Sequence, residues 1–240
     1  KVDLKEAYSA KKMAAYTRTF CFLNFADDKR PGALVVFDRM TCAKPDIRKI
    51  WLLQSLFKPQ FKGNTITVVR ADKGNSGKLV DTVLLPAQSN LKLEAIGGPG
   101  KENWVFGHNY PIPRHSDLSN GWRTQLSPKK NAATDEFLNV MQIMDLKAKA
   151  LPVKMINQPN ILGVVLNNRM VIFPKNDKFL DQAVTFTLPA VDKSVQVLVT
   201  GLKPGVWNVN GKFSCEVKAD SGTAFFVMPG KTRVNMTPVT

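Results

Sequence analysis

Residues 18–54 read RTFCFLNFADDKRPGALVVFDRMTCAKPDIRKIWLLQ. Three short apolar runs, R-T-F-C-F-L-N-F, A-L-V-V-F-D-R-M-T and R-K-I-W-L-L-Q-S, are separated by polar breaks with turn chemistry, the first being D-D-K-R-P-G. Runs of this length, rich in Phe, Val and Leu and bounded by Pro, Gly and Asp, predict β-strands buried on both faces. The spacing predicts an antiparallel meander of three strands. If the first two pair across the Asp27–Gly32 turn, Cys21 should face roughly Asp38, not Cys42, which argues against a Cys21–Cys42 bridge.

The same patterning extends over the whole chain. Further strands are predicted at Thr65–Arg70, Lys78–Leu85, Leu91–Ile96, Asn103–Phe106, Trp122–Ser127, Ile161–Asn167, Arg169–Phe173, Ala183–Leu188, Ser194–Thr200, Val206–Val209, Lys212–Val217 and Thr223–Met228. Asn210-Gly211, between V-W-N-V and K-F-S-C-E-V, is a hairpin signal of the type I′ kind, which needs positive φ at both central residues. Asn167-Asn168 is a weaker one. Asp3–Lys12 has the composition for one or two helical turns. Glu136–Met144 fits either a helix capped by Thr134 or a strand, and the β context favours the strand. The polar segment D-L-K-A-K-A-L-P at Asp145–Pro152 reads as an exposed connector. These features predict an all-β fold: a large antiparallel β-sandwich over residues 1–148, then a small C-terminal β-sandwich over residues 149–240.

The chain has 240 residues, of which 44% are hydrophobic, so it can build globular cores. No apolar run approaches the ~20 residues that span a bilayer, and K-V-D-L-K-E is not a signal peptide. Neither a membrane nor a nucleic acid is expected as a partner, the latter because no recognisable binding motif accompanies the charge. That charge is +15, from 34 Lys+Arg against 19 Asp+Glu. It favours polyanions, acidic polysaccharide among them. The three cysteines, Cys21, Cys42 and Cys215, have neither disulfide-framework nor zinc spacing.

Both histidines lie in F-G-H-N-Y-P-I-P-R-H-S-D, together with Tyr110, Arg114 and Asp117. Proton abstraction beside a uronate carboxylate needs a base and donors that stabilise an enolate, and His and Tyr suit those roles. Pro111 and Pro113 make the stretch an extended loop, however, and surface loops gather polar residues without catalysis. The reading adopted is substrate contact by His108, Tyr110, Arg114, His115, Trp122 and Arg123, with no catalytic residue, no metal site and no cofactor. Trp122 and Arg123 enter because they follow the exposed S-N-G turn and pair an aromatic platform with a cation. A Trp in an apolar strand, as at Trp51 and Trp104, reads as core. The segment G-G-P-G at 97–100 lacks the context of a phosphate cradle and reads as a turn.

Several blocks, in order, resemble the heparinase II/III-like polysaccharide lyases: T-R-T-F-C-F-L, A-L-V-V-F-D-R-M-T, R-K-I-W-L-L-Q-S, G-G-P-G-K-E-N-W-V-F-G-H-N-Y-P, G-W-R-T-Q-L-S-P and D-E-F-L-N-V-M-Q. Together they span about residues 16–145; beyond 150 the pattern is generically β. The resemblance implies the back part of an enzyme in which an (α/α) toroid precedes antiparallel β-sandwiches and cleaves uronate-containing polysaccharide by β-elimination. The family's His-x-His segment is absent, and the His that commonly ends W-L-L-H is Gln54. By resemblance, then, the chain is a non-catalytic C-terminal β-sandwich portion that supports the toroid and contributes to an acidic-glycan cleft. The expected partners are acidic polysaccharide, bound weakly, and the missing toroid. The expected location is periplasmic or secreted. A free-standing carbohydrate-binding or adhesion module is the alternative.

Overall fold

A computed structural model describes residues 1–72, 74–110 and 121–239. They form two compact units, residues 1–150 and 151–240. Both are built from strands; the only helical elements described are the 3-10 turns Lys5–Ala7 and Gln88–Asn90. The helical turns expected over Asp3–Lys12 reduce to the first of these.

The first unit holds a seven-stranded sheet. Across it run β1 (Val2–Asp3), β2 (Met13–Asn24), β3 (Gly32–Cys42), β12 (Thr134–Met144), β7 (Asn75–Leu85), β6 (Thr65–Asp72) and β5 (Gln60–Lys62). A three-stranded sheet runs β4 (Trp51–Ser55), β11 (Trp122–Pro128), β8 (Leu91–Gly97). A short hairpin joins β9 (Trp104–Val105) to β10 (His108–Asn109). Val36, Met40, Ile66, Val83, Phe137 and Met141 from the large sheet pack with Trp51, Leu91 and Leu126 from the small one, which makes a sandwich.

The deciding stretch departs from a simple meander. β2 and β3 do pair, with Cys21 opposite Val35 and not Asp38. The third run, β4, leaves for the small sheet, and β3 takes β12 as its other neighbour. Lys49 marks the departure: buried, it donates to the Ala132 carbonyl at 2.6 Å and pairs with Asp135 at 2.8 Å. That pins the chain beside the start of β12 before β4 begins. The Glu136–Met144 segment is therefore a strand, and a central one.

In the second unit a five-stranded sheet runs β13 (Val153–Asn157), β14 (Ile161–Leu166), β15 (Arg169–Pro174), β17 (Ser194–Thr200), β20 (Thr223–Pro229). A four-stranded sheet runs β16 (Val184–Thr187), β21 (Arg233–Pro238), β18 (Gly205–Val209), β19 (Phe213–Val217). Ile172, Val197, Val199 and Phe226 from one meet Phe186, Trp207, Val209 and Val234 from the other. The β15–β17 pair is parallel, because β16 crosses to the other sheet in between; the sandwich is not purely antiparallel. Asn210 and Gly211 have φ of 55° and 67°, the left-handed pair that a type I′ turn requires. Trp207 is buried, and its indole N–H donates to the Lys203 carbonyl at 2.9 Å.

Candidate functional site

The outward face of the small sheet is set by register. Arg123 on β11 lies opposite Gln54 on β4 and Ile96 on β8, so the three side chains form one cross-strand row. The β9–β10 hairpin stands beside this row. Arg123 Nη2 donates to the Trp104 carbonyl at 2.7 Å, which ties sheet to hairpin. Asn109 Oδ1 accepts from the Asn103 amide at 2.8 Å, and Asn109 Nδ2 donates to Glu102 at 3.2 Å. Glu102 also accepts from the Gly100 amide at 3.1 Å. The left-handed Phe106 and Gly107 turn the hairpin, with Phe106 wholly exposed.

Between hairpin and sheet lies an open cleft of about 700 Å³. Gln54, Lys101, Trp104, Tyr110 and Arg123 are among its walls. Lys101 Nζ sits 5.5 Å from the centre of the Trp104 ring. Arg123 Nε is shielded from solvent and has no hydrogen-bond partner among the described residues, so the guanidinium is a rigid, partly desolvated cation. An aromatic wall beside one tethered and one exposed cation suits a ring-shaped polar ligand that carries negative charge.

The predicted contact residues separate. Tyr110 and Arg123 line the cleft. His108 meets the Tyr110 ring edge-on, with 4.6 Å between ring centres, and is not among the residues lining the cleft. Trp122 lies next to Arg123 in a strand, so it faces the other way. Its ring takes Lys58 Nζ at 5.2 Å and closes over Gly98, where a Cβ would come within 2.8 Å of the indole. Arg114, His115 and Asp117 lie outside the described residues. Trp104, expected in the core, is a half-buried wall of the cleft. Gln54 and Lys101 were not picked out as contacts; cross-strand register with Arg123 is the signal that would have found Gln54. Among the described residues no group of three or more His, Cys, Asp or Glu is placed to hold a metal ion.

Residues 155–238 match the family model of the heparinase II C-terminal domain. A domain of that kind is thereby identified within the second unit. Its match runs from within β13 to the end of β21, which is the part whose sequence showed only generic β patterning. The blocks that carry the resemblance in residues 16–145 lie ahead of this domain, as does the cleft. No curated protein matches the chain.

Proposed function

We propose that this chain is the β-sandwich portion of a polysaccharide lyase that acts on uronate-containing acidic polysaccharide by β-elimination, and that the cleft between β11 and the β9–β10 hairpin forms part of the glycan-binding wall. One observation carries this reading: Trp104 and Tyr110 stand with Lys101 and Arg123 around one open cleft, in a chain that continues into a heparinase II C-terminal domain. The aromatic rings offer faces to sugar C–H groups, and the cations offer charge to carboxylate or sulfate. The base that removes the proton is assigned to a preceding α/α toroid, so the chain alone binds without turning over. The parent enzyme is placed in the periplasm or outside the cell, where such polymers are met.

The test has two arms. Incubation with heparin, heparan sulfate, alginate and hyaluronan should give no ultraviolet absorbance from unsaturated uronate. Turnover that is lost on Tyr110→Phe would put the active site in this chain and overturn the reading. On heparin resin the chain should be retained at low salt and released at moderate salt, where the Debye length is about 8 Å. Arg123→Ala should weaken retention more than a paired change at Lys175 and Lys178. Equal losses, or equal binding to DNA at matched charge, would reduce the interaction to nonspecific attraction.

A second reading, a free-standing carbohydrate-binding or adhesion module, draws on the cleft being walled by residues 54–123 of a single unit. Undiminished affinity without any preceding domain would favour it.

A further inference from the structure

β2 carries Tyr16, Arg18, Phe20 and Phe22 on one face. Tyr16 is buried, whereas Phe20 and Phe22 are 53% and 63% exposed. The Phe22 ring rests on Gly32, where a Cβ would come within 2.6 Å of it. The Arg18 guanidinium lies 5.7 Å from the Phe20 ring centre. The alternate residues Thr19, Cys21 and Leu23 are buried on the opposite face.

The Leu4 amide donates to the Tyr16 carbonyl at 2.8 Å, so Tyr16 turns its peptide groups toward β1 and away from β3. In an antiparallel ladder a residue's N–H and C=O point the same way, and alternate residues share that direction. Arg18, Phe20 and Phe22 thus turn theirs to the same outer edge. β1 pairs with this edge at Asp3↔Thr17 and Val2↔Arg18, beside the Leu4–Tyr16 bond. At Phe20 and Phe22 the edge has no strand beside it among the described residues. The stretch T-F-C-F-L-N has no Lys and no Pro, the residues with which exposed edges are ordinarily blunted.

We propose that Thr19–Asn24 takes an added antiparallel strand, and that its occupant is the polypeptide directly ahead of Lys1, which continues β1 in the same register. This rests on the reading above that further chain precedes Lys1. The β1 register places the first residue ahead of Lys1 opposite Phe20 and the third opposite Phe22. Directly opposed residues share a face, so those two positions cover the exposed rings and should be apolar. The second faces the buried Cys21 side. The strand thereby joins a preceding domain to the sandwich through main-chain bonds, with the side chains at alternate positions setting the register.

Residue-resolved amide hydrogen exchange tests this on the 240-residue chain and on the longer native polypeptide. The Phe20 and Phe22 amides should exchange freely in the shorter chain and at least about 100-fold more slowly in the longer one. A proline at the position directly ahead of Lys1 lacks the N–H that would bond the Phe20 carbonyl and disrupts the added strand there, so the Phe20 amide should again exchange faster. Fast exchange in both chains overturns the proposal. So does protection in the shorter chain: if it grows with concentration the edge belongs to a second copy, and if it does not the edge is already satisfied. Failure here leaves retention on heparin unaltered, whereas failure of the glycan reading appears on the resin with this protection intact.

Discussion

Arg18 grips Asp38 across the β2–β3 ladder with both arms of its guanidinium, Nη2 to Oδ2 at 2.9 Å, while the carboxylate is wholly buried. Burial pushes the Asp38 carboxyl up, and the Arg18 contact opposes it. Removing Arg18 leaves the buried carboxylate with only the lesser Trp51 and Tyr16 contacts, and the loss of a buried partner costs up to roughly 3–5 kcal/mol. Arg18→Ala should therefore lower the urea midpoint sharply. Adding Asp38→Asn should recover part of the loss, because the orphan is then neutral. An unchanged midpoint in Arg18→Ala would mean that Asp38 is held by other groups.

Asp81 on β7 gives a pH dependence. It is fully buried opposite Met141, and among the described residues neither oxygen finds a hydrogen bond of normal geometry; the Val140 amide offers only weak compensation. Burial raises its carboxyl from 3.8 to about 7. Across that window the folded chain holds a proton that the unfolded chain has lost, so stability falls as pH rises, by at most about 4 kcal/mol from such a shift. Asp38 acts in the same sense. Asp27, Asp72 and Glu94, held low by exposed ion pairs, act weakly in the other. Asp81→Asn should flatten the slope of Tm between pH 4 and 7; an unchanged slope would assign it elsewhere.

Within the cleft, Trp104→Ala should reduce affinity for a heparin oligosaccharide by about tenfold, equivalent to about 1.4 kcal/mol, because it removes the ring face offered to the sugar. Trp122→Ala, on the opposite face of β11, should have a smaller effect. Titration calorimetry of the two variants distinguishes this from the reverse order, which would move the binding surface to the Lys58 side.

Thiol chemistry offers a simple check on burial. The three cysteines are free. Burial pushes the Cys21 thiol up to about 12, so it holds almost no thiolate at neutral pH. Cys42 is buried as well, and Cys215 is half-buried with its thiol also raised. An aromatic disulfide reagent should label Cys215 slowly in the folded chain, and all three after unfolding. Rapid labelling of Cys21 would contradict the packing of β2.

Limited trypsin treatment should cut first at Lys147 or Lys149, which are exposed between β12 and β13. Early cuts through Thr65–Leu85 would place the weak point within the first unit instead.

Strand content was legible because Val, Phe and Ile runs between Gly, Pro and Asn punctuation leave few other readings. The strands that escaped were short or polar on alternate positions. In R-V-N-M-T-P, only Val234 and Met236 are buried, and the terminal proline hides the pattern. The exit of β4 from the first sheet was not legible, since it depends on the buried Lys49–Asp135 pair, 86 residues apart in sequence. At the site, Tyr110 and Arg123 stood out chemically. Trp104 did not, because a tryptophan in an apolar stretch looks the same whether it fills a core or walls a cleft; a two-residue hairpin decided which.

The position of β12 governs how the first unit is made. It is the last strand of that unit to emerge from the ribosome, yet it is inserted between β3 and β7. Until about residue 144 is synthesised, β3 and β7 each present a bare, apolar edge, and β3 waits for a partner roughly a hundred positions away. Closure of such remote pairs is slow. Nascent chains that stall short of Thr134 thus carry two sticky edges at once and are natural clients for a holding chaperone.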